Sequence, residues 1–203
     1  MTAAPALLCA GLLLGASAAW ACRLPSDSQA QPFPVFRIDP ARSAIHFDAD
    51  AGWHRFTGTA ERFDGLIRVD DAARPSRGEA CLEIESAGIT TGIELRDDTM
   101  RRNHLQAERY PSILLEVTAV ERIEALGDGK FRGSLAGSLT LRGVSRPLST
   151  PATVRLSPTD MAVEGSVPLR LSAFDIPAPS FLFVTMKDEL LVRFTLTATR
   201  PPR

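Results

Sequence analysis

A chain of 203 residues, 44% of them hydrophobic and 23% charged, is too apolar for a disordered polymer and long enough for one barrel-sized core. Lys and Arg total 23 against 24 Asp and Glu, a formal charge of -1, so no whole-chain electrostatic footprint for nucleic acid exists.

The first 21 residues carry no charged side chain. Within them Ala6 to Ala19 form a Leu- and Ala-rich run too short to span a bilayer, ending at Ala19-Trp20-Ala21, whose small first and third residues suit a signal peptidase. Residues 1–21 therefore read as a signal peptide whose only leading cation is the α-amino group, and the chain is expected in the periplasm. Cleavage exposes Cys22, for which two readings stand side by side. Ala19-Trp20-Ala21-Cys22 resembles a lipobox with Ala19 in place of the usual Leu, which would make Cys22 a lipid anchor. Alternatively the protein is soluble, with a Cys22–Cys81 disulfide permitted by an oxidising compartment. Residues 22–34, rich in Ser, Gln and Pro, read as a flexible tether to a domain over 35–200.

From Val35 onward the dominant period is two, the mark of strands with one buried and one wet face. Strands are expected at Ser43–Asp50, Phe56–Val69 (one bent strand or two), Glu79–Ser86, Ser112–Ile123, Lys130–Leu141, Leu148–Leu156, Met161–Ala173 and Leu190–Thr199. The alternation is cleanest in Lys130–Leu141, where Phe131, Leu135, Leu139 and Leu141 share one phase and Lys130, Arg132, Ser134 and Ser138 the other. Turn signals separate the strands at Asp39-Pro40, Gly127-Asp128-Gly129, Arg142-Gly143 and Ser157–Asp160. Roughly eight strands fit up-and-down closure, a size that holds one small ligand. Ile93–Glu108 breaks the period and reads as a short polar helix, with Leu95, Met100 and Leu105 as its apolar stripe, laid across the barrel mouth. Small inward residues, Gly58, Ala60, Gly65, Gly133, Gly137, Gly165 and Ala173, leave apolar room inside, or else mark bulges that let the barrel close.

No pattern for side-chain catalysis or metal binding emerges. His46, His54 and His104 are widely spaced and form neither a metal cluster nor a nucleophile motif, and each reads as a surface or loop histidine. Asp70-Asp71 and Asp97-Asp98 are adjacent pairs whose members point apart, suiting solvated turns and a helix face. Cys81 alternates with Glu79, Glu83 and Glu85 and is expected on the wet face, where carboxylates discourage a reactive thiolate.

Several segments, in order, resemble the YceI-like, polyisoprenoid-binding, lipocalin-like periplasmic proteins. They are Ile38–Ser43, Phe63-Asp64-Gly65, Thr91-Gly92 with Arg96-Asp97, Tyr110–Ile113, and above all Gly137-Ser138-Leu139-Thr140-Leu141-Arg142-Gly143-Val144. The match spans about Phe36 to Thr199, and departs from the family pattern at Leu171–Ile176 followed by Pro177-Ala178-Pro179. The resemblance implies an eight-stranded antiparallel lipocalin-like barrel with a helix near its mouth and a channel for a quinone-like or prenyl-carrier lipid, with no other cofactor. Channel-lining positions are then Ile45, Phe47, Phe56, Ile84, Leu115, Val117, Leu135, Leu139, Val163, Val167, Leu169, Phe174, Val192 and Phe194. Arg96, Asp97, Asn103 and His104 are candidates for the polar head. Binding or transport of such a lipid is the expected function. An accessory partner of a membrane redox system with a filled barrel and an enzyme acting on a lipid are the alternatives, and the state is expected to be monomer or dimer.

Overall fold

The computed structural model describes Cys22, Leu24 and residues 33–52, 54–71, 75–181 and 184–200. The expected signal peptide and most of the tether lie outside the described residues.

Alternating apolar and polar side chains cannot line one face of a helix, so these segments extend and pair. The strands are β1 (Val35–Ile38), β2 (Ala44–Asp50), β3 (Arg55–Ala60), β4 (Phe63–Val69), β5 (Gly78–Glu85), β6 (Ile89–Thr90), β7 (Ser112–Gly127), β8 (Lys130–Leu141), β9 (Val144–Leu156), β10 (Asp160–Arg170) and β13 (Glu189–Thr199), with a small separate hairpin of β11 (Ser180–Phe181) and β12 (Val184–Thr185). The sheet runs β1-β4-β5-β7-β8-β9-β10-β13 and closes through pairing of β13 with β1, giving an eight-stranded antiparallel barrel.

Three of its staves are broken. β1 and β2 both lie along β13, through Ile38↔Ala198 and Ala44↔Thr195, separated by a 3₁₀ turn at Pro40–Arg42 that Asp39 caps by accepting from the Ala41 N–H at 3.1 Å. β3 and β4 are separated at Glu61-Arg62, so Phe56–Val69 is two strands; β5 and β6 flank a 3₁₀ turn at Ser86–Gly88. The tight hairpins fall where turn residues predicted them. Asp128 (φ 51°) and Gly129 (φ 69°) join β7 to β8, and Arg142 (φ 52°) and Gly143 (φ 74°) join β8 to β9. Two successive left-handed residues match the right-handed twist of the flanking strands.

One seam is only half zipped. β9 and β10 pair from Leu156↔Met161 to Ala152↔Gly165 and then part, so Val144–Pro151 bonds only to β8 and Ser166–Arg170 only to β13. Pro147, Pro151 and Pro168 lie along the parted stretch and have no N–H to offer. The Thr150 hydroxyl crosses it, donating to the Ser166 carbonyl at 2.7 Å. The expected strand Met161–Ala173 correspondingly stops at Arg170, and Leu171–Phe174 coils into a 3₁₀ turn tied to β9 by the Arg146 Nε–H donating to the Ala173 carbonyl at 2.7 Å.

Gly58, Gly137 and Gly165 sit against close neighbours rather than opening interior space, while Gly133 lines the cavity. A Cβ on Gly58 would lie 2.2 Å from the Phe47 ring, one on Gly165 2.7 Å from the Phe194 ring, and one on Gly137 1.9 Å from the Glu116 carbonyl oxygen. The first two make way for phenyl rings. Gly137 sits opposite Val117, where the β7–β8 register shifts between Val117 and Ala119, and the two backbones touch. Gly137→Ala should therefore destabilise the fold by about 2–3 kcal/mol, because backbone cannot move aside as a side-chain tip can. Urea unfolding measures this, and an unchanged midpoint would contradict the close approach.

Candidate functional site

The inward phases of the staves enclose a cavity of about 1110 Å³. That exceeds the roughly 300–1,000 Å³ typical of sites for drug-sized ligands. It extends from the end where β2 turns into β3, lined by Phe56, Ile93, Leu95 and Met100, to the end where β7 turns into β8, lined by Val120, Ile123, Phe131 and Arg132. Thirteen of the apolar positions expected from the sequence line it: Ile45, Phe47, Phe56, Ile84, Leu115, Val117, Leu135, Leu139, Val163, Val167, Leu169, Val192 and Phe194. Phe47 and Phe56 meet edge to face, their centroids 6.4 Å apart.

Phe174 is the apolar exception. It is buried in the core but does not face the cavity: the lining phase of β10 falls on odd positions such as Val163, Val167 and Leu169, and Phe174 lies beyond the strand in the 3₁₀ turn. The same phase argument reaches lining residues the list omitted, Leu141, Leu148 and Leu196. Ile93, Leu95, Met100 and Met186, also lining, lie outside the strands, and alternation gives no signal for them.

The expected helix is α1 (Glu94–Thr99), followed by a π-helical turn over Met100–Leu105 that ends at Gln106 in the left-handed region. Two of its polar candidates reach the cavity. Arg96 lies over the Phe56 ring at 4.0 Å and donates from Nε to the Thr91 hydroxyl (2.6 Å) and from Nη2 to the Thr91 carbonyl (3.0 Å), so its guanidinium is held at the rim. His104 also lines the cavity, half-buried rather than on the surface. Burial lowers its pKa, the nearby Arg142 charge lowers it further, and a hydrogen bond to the Pro177 carbonyl opposes both; the net shift is downward, which favours neutral imidazole.

Asn103 and Asp97 are not brought to the site. Asn103 is exposed on the π-helical turn. Asp97, 3% exposed, is no solvated helix-face residue but the bolt that holds the helix to β6. Its carboxylate accepts from the Thr90 hydroxyl (2.6 Å), the Thr91 N–H (2.8 Å) and the Thr91 hydroxyl (2.5 Å). Burial alone would raise its pKa, yet these hydrogen bonds and the Arg101 charge hold it below the ordinary 3.8. Asp97→Asn keeps one acceptor oxygen but turns an NH₂ toward the donors that faced the other, and should cost about 2 kcal/mol of stability. Since the folded pKa is depressed, the carboxylate's contribution is fully present above 3.8 and is lost as pH falls through the folded value. The wild-type and variant unfolding curves should accordingly converge in acid; a gap independent of pH would refute the assignment.

Cys81 keeps its outward phase but is 0% exposed, which corrects the expectation of a wet thiol. It is disulfide-bonded to Cys22, with Cα atoms 5.6 Å apart. The Cys22 N–H donates to Glu83 Oε2 at 3.2 Å, and the Ser112 hydroxyl donates to Oε1 of the same carboxylate at 2.5 Å. A disulfide occupies the sulfur that a thioether lipid would need. Among the described residues, no group of three or more His, Cys, Asp or Glu side chains is placed to hold a metal ion.

Comparison with known proteins gives a concordant result. The family model described as YceI-like domain matches residues 36–198. A UPF0312 protein of Pseudomonas fluorescens is 30% identical over 103 residues, 50% of this chain, and the match spans about half (52%) of that relative. Among solved structures, Burkholderia cenocepacia BcnA superposes with a TM-score of 0.68 at 22% identity, covering 80% of this chain and 99% of BcnA. A polyisoprenoid binding domain from Saccharophagus degradans, implicated in plant cell wall breakdown, superposes with a TM-score of 0.66 at 19% identity, covering 82% and 98%.

Proposed function

The chain belongs to the YceI-like domain family, and from that premise we propose that it binds an apolar, chain-like lipid of the isoprenoid class along the barrel interior. The observation that carries this reading is the cavity itself, long, almost wholly aliphatic and aromatic in lining, and about 1110 Å³ in volume. A hydrocarbon chain gains about 0.8 kcal/mol for each methylene-sized unit it buries, so a long chain binds tightly without a charged anchor. Channel length and shape then set specificity. The solved domain described as polyisoprenoid binding has the same fold, which supports the ligand class. An interior filled by side chains, as the accessory-protein reading requires, is not what the barrel has.

The polar end of the ligand lies at the helix, where Arg96 and a neutral His104 meet the cavity, and the head group is of the quinone or prenyl-carrier type. The role is carriage of that lipid through the periplasm as a soluble protein. The Cys22–Cys81 bond supports both parts of this, since disulfides persist in oxidising compartments and this one engages the sulfur of Cys22. Organic extraction of protein purified from its native compartment, followed by mass spectrometry, should recover an isoprenoid-containing lipid stoichiometrically. Repeated recovery of protein with no apolar small molecule would remove the reading.

A further inference from the structure

At the helix end of the cavity a cation is held against an apolar wall without a counter-charge. Arg96 lines the cavity, its guanidinium 4.0 Å from the Phe56 ring centroid. Among the described residues it belongs to no ion pair.

The acids on the same helix are engaged elsewhere. Asp98 pairs with Arg102 at 3.2 Å. The Asp97 carboxylate is enclosed by its Thr90 and Thr91 donors and sits beside the Arg101 charge. Glu94 is exposed two residues before Arg96, and side chains two apart on a helix do not face each other. A further charge at this end has the same sign as Arg96. Arg142 acts on His104, which lines the cavity, and itself donates to the Asp175 carbonyl at 2.5 Å rather than to a carboxylate.

Thr91 takes one side of the Arg96 guanidinium and leaves the other. Nε–H donates to the Thr91 hydroxyl at 2.6 Å and Nη2–H to the Thr91 carbonyl at 3.0 Å. That hydroxyl donates in turn to Asp97 Oδ1 at 2.5 Å, so its lone pair is turned to Arg96 and the side chain is fixed before a ligand arrives. A guanidinium has five N–H donors, of which these bonds use the Nε–H and one on Nη2. The rest, on Nη1 and Nη2, form the edge with which Arg grips a carboxylate or phosphate through two parallel hydrogen bonds. They are not sealed inside the protein, unlike Arg101 Nε and His104 Nδ1, which are buried without partners.

We propose that Arg96 selects ligands whose apolar chain ends in an anionic head, a phosphate monoester or a carboxylate, over chains that end in a neutral hydroxyl or quinone. The assignment rests on the lipid-binding reading above and narrows its head group. The buried chain supplies most of the affinity, and Arg96 sets its direction by drawing the head to the helix end.

The test titrates delipidated protein with two pairs of probes that differ only in the head: geranylgeranyl phosphate and geranylgeraniol, hexadecanoate and hexadecanol. At least one anion should bind wild type about tenfold or more tightly than the alcohol of the same chain, and the gap should shrink in high salt. The pair with the larger gap identifies the head as phosphate or carboxylate. Arg96→Gln should collapse that gap to within about twofold, chiefly by weakening the anion. Arg96→Lys, which keeps the charge but not the fork, should retain only part of it. Thermal melts report folding of each variant, and if Arg96→Gln unfolds, Arg96→Lys and the salt dependence of wild type carry the test. A gap that survives Arg96→Gln, or one indifferent to salt, overturns the assignment. All four probes bound alike by wild type would sink it and leave the lipid-binding reading standing; binding of none would remove that reading and the assignment with it.

Discussion

Val192→Trp should weaken binding of a long prenyl ligand by about a hundredfold while leaving the fold intact. Val192 sits mid-strand on β13, opposite Val167 on one side and Phe47 on the other, and its side chain faces the cavity while remaining half-buried. An indole there enters the cavity rather than a packed core, so the overpacking cost of about 1–3 kcal/mol seen in dense interiors is largely avoided. What changes is the length of chain the channel can take. Displacing about four methylene-sized units at 0.8 kcal/mol each removes roughly 3 kcal/mol, which is the hundredfold. Titration with a fluorescent prenyl analogue reads the affinity and a urea melt reads the fold. Equal affinity in wild type and variant would mean that the ligand does not run through the middle of the barrel.

Cys22→Ser should have the largest effect on stability. The bond to Cys81 closes a loop with a sequence separation of 59, for which chain-entropy reasoning gives about 4 kcal/mol. A domain stable by about 5–15 kcal/mol feels the loss of that much strongly. Cys81→Ser should match it, and the double variant should be no worse than either single one, because both remove the same bond. Reducing agent should shift the wild-type urea midpoint to that of the variants. Thiol labelling gives an independent readout: Cys22 and Cys81 should react only after reduction and unfolding. A Cys22 that stays unreactive after both, together with a chain mass raised by a lipid, would show the thioether anchor instead.

The barrel was legible because its physics is local. A strand with one wet face must alternate, and Lys130–Leu141 does so without a fault; its predicted limits are those of β8. Thirteen lining residues follow from that phase alone. Phase failed where the chain leaves the sheet. Phe174 stands at an even position, off the odd-numbered inward phase of Met161–Ala173, and nothing in residues 171–174 announces the 3₁₀ turn except the two prolines that follow at Pro177 and Pro179. Asp97 looked like one of a solvated pair because its partners, Thr90 and Thr91, lie across a loop from the helix. The glycines show the limit of reading volume from sequence. A small residue marks either empty space or a close neighbour, and only the register of β7 against β8 shows that Gly137 has the Glu116 carbonyl beside it.

The half-zipped seam between β9 and β10 has a further consequence. Two parted strand edges in a barrel wall are a template on which another extended chain can grow, the usual first step toward intermolecular sheets. Pro147, Pro151 and Pro168 withhold donors along both edges, and the Thr150 hydroxyl already occupies the Ser166 carbonyl. The wall can therefore stay parted over the length of Val144–Pro151 without becoming adhesive, and replacing the three prolines would turn a protected gap into a nucleus for aggregation.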